Sequence, residues 1–171
     1  MKKIFIGIDN GVSGTIGIID ETGVLFTKTP VKSEQNYTKK KGNITRVNVK
    51  ELKILLLQSL LIDDISGYVN PNDVIVAIER PMVNPTRFQA TTSALRALEA
   101  TLNCIEELEL PYIYLDSKEW QKELLPKGVT GTDLKKASLD IGARLFPQFK
   151  DFKHEDRDGL LMAEFLRRKY S

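Results

Sequence analysis

The sequence has one cysteine, one histidine and no long hydrophobic run. The single cysteine, Cys104, excludes a disulfide framework, and its helix-like apolar surroundings predict a buried packing role. No apolar run approaches the length that a membrane-spanning helix needs. The apolar residues near the start are interrupted by Asp9 too early for a signal peptide, so we expect a cytoplasmic or nucleoid-facing protein without membrane contact.

The overall composition is that of an ordinary globular protein, with 42% hydrophobic and 28% charged residues. Its 171 residues predict one domain, residues 1–171, that is large enough to bury a core. The net charge is only +2, so the total charge leaves nucleic-acid binding undecided.

Basic residues concentrate between residues 28 and 50, where seven lysines and arginines accompany a single acid, Glu34. We predict a basic loop at residues 30–46. Such a stretch is most often a solvated loop, but it also suits phosphate binding, because neutralising a polyanion releases its counterions. The cations are Lys28, Lys32, Lys39, Lys40, Lys41, Arg46 and Lys50.

Hydrophobic periodicity and turn residues predict an α/β protein. Short turns join three antiparallel strands at residues 3–9, 14–20 and 24–29. Two later strands, at 74–78 and 110–115, alternate with helices, and the first of them is apolar on both faces, which is typical of a parallel strand. The predicted helices span residues 47–61, 91–108, 118–125 and 133–145, and a final helix begins near Glu155.

Two isolated acids, Asp9 and Glu79, each end a strongly apolar strand. Strands separated by one right-handed crossover tend to lie side by side. Both carboxylates are therefore expected at the same edge of the sheet, where ligand sites form in open α/β sheets.

The final helix carries further acids. Asp158 would share a face with Glu155 and His154, because positions three and four apart lie on one side of a helix, while Asp156 would point elsewhere. These acids are either a solvated helix N-terminus or partners of the two strand-end acids. Four converging carboxylates repel one another unless a cation offsets them, and Mg²⁺ and Mn²⁺ are its natural candidates. Two such ions, bridged by one aspartate, suit the attack of water on a phosphodiester.

Three segments resemble the acidic motifs of RuvC-type Holliday junction resolvases, in the compact form that phages and some bacteria encode. They are GIDNGVSG at residues 7–14, AIERP at 77–81 and DGLLMAE at 158–164. Residues 111–120 and 133–138 resemble that family's strand-then-tryptophan and lysine-bearing segments. The resemblance implies an RNase H-like (retroviral-integrase-like) α/β fold over the whole chain, with a mixed five-stranded sheet, its first three strands antiparallel, and helices on both faces.

The resemblance also implies roles for the acids. Asp9 would bridge two Mg²⁺ ions, or Mn²⁺ in their place, and Glu79 would bind one of them. Asp158 would be the main ligand of the last motif. These residues, with one further acid, form the predicted catalytic and metal-binding set: Asp9, Glu79, Glu155 and Asp158.

Glu155 is included because the family's partner acid stands three residues before the last ligand. Many members have Asp or His at that place, so the glutamate of this chain departs from the family pattern. His154 and Asp156 are therefore the alternatives.

Other residues are candidates for DNA contacts. The resemblance places Lys118 and Lys135 near the scissile phosphate or along the junction arms, although plain surface charge is an equal alternative. Met82, or else Phe88, stands where the family has an apolar wedge, but core packing is the commoner role. Trp120 is more typical of a core anchor than of a base-stacking residue. The predicted DNA-binding residues are Lys32, Lys39, Lys40, Lys41, Arg46, Met82, Phe88, Lys118, Lys135 and Lys136.

These features predict a metal-dependent, structure-selective endonuclease that acts in DNA recombination and repair. It would cut four-way junctions, with other branched DNA as a wider alternative, by paired symmetric nicks. Because one domain holds a single acidic cluster, two nicks require a homodimer. The helix at residues 91–108 is a candidate dimer face or equally a core helix, through Leu95, Leu98, Leu102 and Ile105.

Two other functions stay open. One is a branched-DNA-binding protein without catalysis, which would use the basic stretch. The other is an actin-like or sugar-kinase-like ATP-binding domain, because residues 7–14 also resemble the phosphate-binding opening of those proteins. Those proteins need a second similar domain, and the chain is too short for two.

Overall fold

The computed structural model describes residues 3–60 and 69–171. Within these residues the chain forms seven β-strands and five α-helices. The strands are β1 (Ile4–Ile8), β2 (Thr15–Ile19), β3 (Val24–Lys28), β4 (Val31–Gln35), β5 (Asn43–Val47), β6 (Val74–Glu79) and β7 (Tyr112–Leu115). The helices are α1 (Val49–Ser59), α2 (Phe88–Glu107), α3 (Ser117–Leu124), α4 (Asp133–Leu145) and α5 (Asp158–Tyr170).

Five strands form the main sheet, in the order β3-β2-β1-β6-β7. β1, β2 and β3 are antiparallel neighbours, whereas β6 and β7 continue the sheet parallel to β1. The predicted mixed sheet is therefore confirmed. Ile8 of β1 pairs with Ile78 of β6, which places the next residues, Asp9 and Glu79, side by side at the carboxyl ends of these strands.

Helices cover both faces of this sheet, as predicted. Ile6 and Val76 belong to a core that α1 and α2 complete on one face. Phe5 and Ala77 point the other way and pack with residues of α3 and α5. Because both faces are covered, β1 is buried along its whole length and its sequence is apolar at every position.

The first turn of α5 lies directly on β1 and β2, because glycines leave no side chains between them. Gly7 and Gly17 are partners across the β1–β2 pair. A Cβ on Gly7 would lie 2.3 Å from the Gly159 carbonyl oxygen, and one on Gly17 would lie 2.4 Å from the Leu160 Cα. The Gly159 N–H also donates to Thr15 Oγ1 at 3.0 Å. These contacts hold the start of α5 over the carboxyl end of β1.

The basic stretch forms a β-hairpin rather than the predicted loop. β4 and β5 pair antiparallel, from Val31 opposite Val47 to Gln35 opposite Asn43, in a sheet separate from the main one. Among the residues of these two strands only Val47 is buried. β-branched residues such as Ile44 favour a strand, but the dense charge around them indicated a loop instead.

Several packing predictions have a clear outcome. Cys104 and Trp120 are fully buried in the two cores, which confirms both predictions. Ile105 is also fully buried, which agrees with the alternative of a core helix for that residue, whereas Leu95 is 42% exposed. The predicted end of the first helix, Leu61, lies outside the described residues. No helix in the described ranges is both long and apolar enough to cross a membrane.

Candidate metal centre

The first two acids of the site end neighbouring parallel strands. Asp9 follows β1, and its N–H donates to the Thr15 carbonyl at 3.0 Å. Glu79 is the last residue of β6, and its carboxyl interacts with that of Asp9. Burial and then the charge of Glu79 raise the pKa of Asp9 well above its ordinary value, and burial also raises the pKa of Glu79. Two poorly solvated carboxyls that repel each other tend to retain a proton unless a cation replaces it.

Two further acids approach from the start of α5. Asp9, Asp156 and Asp158 each offer a carboxylate oxygen, and these oxygens lie within 4.8 Å of one another. Burial and then the charge of Asp156 raise the pKa of Asp158 to about 7. The Ser138 hydroxyl of α4 opposes this shift, because it donates to Asp158 Oδ1 at 2.5 Å. The predicted convergence of acids from both strand ends and α5 is therefore present.

The member of the last motif that faces inward is Asp156, not Glu155. Asp156 is 4% exposed, whereas Glu155 is exposed and forms an ion pair with Lys135, which lowers the pKa of the Glu155 carboxyl. α5 begins at Asp158 rather than near Glu155. The helical spacing used in the prediction therefore does not apply before Asp158, and the expectation that Asp156 points elsewhere was wrong.

His154 links this segment to the turn after β1. Its Nε2 lies 3.0 Å from the Ser13 carbonyl oxygen, and a carbonyl can only accept, so Nε2 carries a hydrogen. Its Nδ1 lies 3.3 Å from Asp156 Oδ1 and 3.3 Å from the Asp156 backbone nitrogen. His154 thus holds Asp156 against the turn that carries Asp9.

Sequence reasoning missed Arg157, which is fully buried between the two inward acids. Its Nη1 donates to the carbonyls of His154 at 3.2 Å and Asp156 at 2.8 Å. Its Nη2 donates to the carbonyls of Phe149 at 3.0 Å and Phe152 at 2.8 Å. One guanidinium therefore fixes the path of residues 149–156. The only signal in the sequence was a cation placed inside an acidic motif.

The surroundings of Arg157 are shaped to fit it. Its stem packs on Gly142 of α4, where a Cβ would lie 2.5 Å from the arginine Cβ and Cγ. Its guanidinium lies 5.4 Å from the ring centre of Phe26 and 5.6 Å from that of Phe152. The backbone N–H of Arg157 donates to Ser138 Oγ at 3.0 Å, so the same serine contacts both Arg157 and Asp158.

Trp120 approaches the site from the opposite side. The proximity of its fully buried indole lowers the pKa of Glu79, against the larger effect of burial. However, Trp120 Nε1 has no hydrogen-bond partner of normal geometry among the described residues. The indole therefore lies near Glu79 without a complete hydrogen bond.

One of the predicted lysines on α3 and α4 interacts with the acids. Burial and neighbouring carboxylates raise the pKa values of Asp9 and Asp158, and the charge of Lys135 opposes this rise. Lys118 and Lys136 are exposed. Their predicted DNA contacts stay predictions.

The remaining predicted DNA contacts lie on the surface. Met82 is 80% and Phe88 is 75% exposed, so the alternative of core packing was wrong for both. Glu34 forms ion pairs with Lys32 on its own strand, β4, and with Arg46 across the hairpin, on β5. The lysines of the hairpin turn are exposed: Lys39, Lys40 and Lys41.

The donor set fits a hard divalent cation. Asp9, Glu79, Asp156 and Asp158 offer only carboxylate oxygens, which are the ligands that Mg²⁺ and Mn²⁺ prefer. The raised pKa values of three of them mean that the arrangement is unfavourable when all are ionised and uncompensated. A bound cation would remove this repulsion.

Comparison with solved structures finds two RuvC structures from Thermus thermophilus. One is RuvC in complex with a Holliday junction substrate, with 14% identity, a TM-score of 0.54, and coverage of 98% of this chain and 96% of that chain. The other RuvC structure has 14% identity, a TM-score of 0.47, and coverage of 97% and 96%. No protein-family model and no curated protein matches the chain. The first match shows that the chain has the RNase H-like fold of RuvC.

Proposed function

We propose that the protein is a divalent-metal-dependent endonuclease that cuts branched DNA, above all four-way junctions, by paired symmetric nicks. The observation that carries the proposal is the convergence of Asp9, Asp156 and Asp158, with their oxygens within 4.8 Å, beside Glu79. The RuvC structure with the same fold is a complex with a Holliday junction substrate, which supports branched DNA as the substrate.

Four residues would hold two Mg²⁺ ions, or Mn²⁺ in their place: Asp9, Glu79, Asp156 and Asp158. Asp9 would be shared between the ions, because it contacts Glu79 on one side and the α5 acids on the other. Such ions, when bound, polarise a phosphodiester and lower the pKa of the attacking water. Asp156 takes the role that the sequence suggested for Glu155.

The other residues of the site hold these acids and the substrate. Arg157 fixes the backbone on both sides of Asp156, and Ser138 fixes Asp158 Oδ1, so the acids are in place before DNA binds. Lys135 is exposed, and its ion pair among residues 3–60 and 69–171 is with the exposed Glu155. We assign its ammonium to the scissile phosphate, which would compete with Glu155 for it.

Paired nicks need two such sites, so we propose a homodimer of single-domain chains. The exposed edge of α2 around Leu95 is the candidate contact. The exposed side chain of Met82 suits an apolar wedge at the junction centre, a device known from other DNA-binding proteins.

The test is a cleavage assay on a labelled synthetic four-way junction with Mg²⁺ or Mn²⁺, beside a fork, a linear duplex and an EDTA control. Paired symmetric nicks in the junction alone are expected from the wild-type protein. Cutting of every branched form would indicate a broader debranching nuclease. Binding without cutting in either metal would contradict the proposal in favour of a non-catalytic junction-binding protein.

Asp9→Asn is the matched variant for this assay. It should abolish cleavage, because it removes the shared carboxylate, and leave junction binding intact or tighter, because it removes a charge that repels phosphate. Binding is measured by electrophoretic mobility shift in EDTA. Normal cleavage by Asp9→Asn would refute the metal centre.

A further inference from the structure

A continuous groove runs between the β4–β5 hairpin and α2. It consists of two adjoining cavities of about 250 Å³ and 420 Å³. Four residues line both of them, which makes the groove continuous: Val12, Thr45, Ser93 and Arg96. The hairpin forms one wall and α2 forms the other.

The groove and the acidic site share one turn of the chain. Val12, which lines both cavities, belongs to the turn between β1 and β2 that also carries Asp9. A strand of DNA that leaves the acids along this turn would therefore enter the groove.

Two aromatic side chains lie exposed on opposite walls of the larger cavity. Tyr37 of the hairpin is 72% exposed and Phe88 of α2 is 75% exposed. The Arg96 guanidinium lies 5.8 Å from the Tyr37 ring centre, and its Nη1 donates to the Tyr37 hydroxyl at 3.5 Å. Single exposed apolar residues are common, but two exposed rings that line the same groove are typical of a binding surface.

Positive charge accompanies these rings. Arg96 lines both cavities, and the hairpin turn that carries Tyr37 also carries three exposed lysines. Glu99 is the acid among the lining residues of the smaller cavity. The lysines are Lys39, Lys40 and Lys41.

We infer that this groove binds an unpaired strand of the branched DNA, with bases stacked on Tyr37 and Phe88 and phosphates facing Arg96 and the turn lysines. Cations that follow a backbone, combined with rings that stack on bases, are the features of single-strand binding sites. A duplex arm would offer the groove its backbone but no base faces. The inference rests on the proposed function only in taking DNA as the ligand.

The test is fluorescence anisotropy in EDTA, with a labelled oligothymidylate of about 12 nucleotides and a duplex of equal length as probes. The double variant Tyr37→Ala, Phe88→Ala should weaken single-strand binding by about tenfold or more, because each ring stacks on a base. Duplex binding should not change. Tyr37→Phe keeps the ring and should bind as the wild type does, and both side chains are exposed, so the fold should be retained.

Two results would overturn the inference. Equal weakening of single-strand and duplex binding would indicate a contact with a duplex arm, and unchanged single-strand binding would exclude the groove. Tyr114→Ala, an exposed tyrosine on β7, controls for the loss of any surface ring. Because binding is measured without metal, failure of the nicking assay would refute the proposed function and leave this result unaffected.

Discussion

The carboxylates of Asp9, Glu79 and Asp158 come from separate parts of the chain and meet beside the core, whereas the cations of the hairpin stand together on one exposed element. Burial raises the pKa of each of the three acids. On the hairpin the opposite holds, because the hydrogen bond from Lys32 lowers the pKa of Glu34, which is only half-buried. The pKa values of the site acids therefore depend on tertiary structure, whereas the pKa of Glu34 depends on neighbours within the hairpin.

The largest effect on the acidic site is expected from Arg157→Lys. A lysine cannot donate to four carbonyls from one planar group, so residues 149–156 should loosen around Asp156. We expect Mn²⁺ affinity to fall by about 10- to 100-fold, as it does when groups that orient metal ligands are changed. Isothermal titration calorimetry measures this affinity.

The matched control is Glu164→Gln, further along α5. Glu164 is buried and pairs with Arg167 and Arg168, so the variant should lower the melting temperature without touching the acids. If it lost as much Mn²⁺ affinity as Arg157→Lys, the effect of Arg157 would be a general loss of stability, and its positioning role would be refuted.

The next largest effect is expected on the pH dependence of the stability of the metal-free protein. The pKa of Asp158 rises from 3.8 to about 7 on folding, so between these values the folded protein binds more protons than the unfolded chain. The metal-free protein should therefore lose stability as pH rises through this window, by roughly 4 kcal/mol at most from this group. The raised pKa values of Asp9 and Glu79 act with the same sign.

Urea unfolding at a series of pH values measures this slope. Saturating Mg²⁺ should flatten it, because the cation replaces the proton among the acids. Asp158→Asn should remove part of the slope in the metal-free protein. An unchanged slope in that variant would show that Asp158 does not titrate in this window.

The smallest effect is expected on the hairpin, from Glu34→Gln. The variant frees Lys32 and Arg46, so the salt dependence of DNA binding should steepen by roughly 0.9 for each cation that then meets a phosphate. The melting temperature should hardly move, because exposed ion pairs contribute little. Glu21→Gln, in the β2–β3 turn, removes the same charge elsewhere. An equal change in both variants would mean that only net charge matters.

The sequence predicted the parts of the site that regular secondary structure places. Asp9 and Glu79 were expected together because each ends an apolar strand, and the crossover between these strands makes them parallel neighbours. The choice between Glu155 and Asp156 could not be made in this way. It depends on where α5 begins and on the burial of Arg157, and both are set by contacts with α4 and Phe26.

The surface was predicted less well than the core. Strand periodicity located the five strands of the main sheet, because burial selects apolar side chains at regular spacing. For Met82 and Phe88, core packing was the commoner role beside the predicted DNA contact, yet both are exposed. The hairpin was missed because its pairing is local and its charge is typical of a loop.

The measurement that tests the account most directly compares Asp156→Asn with Glu155→Gln in Mg²⁺-dependent nicking of a four-way junction. The buried Asp156 belongs to the acid cluster and the exposed Glu155 does not. We predict that Asp156→Asn slows nicking by about 100-fold or more, since it removes a metal ligand, while Glu155→Gln stays close to the wild-type rate. Loss of nicking in Glu155→Gln with normal nicking in Asp156→Asn would contradict the account.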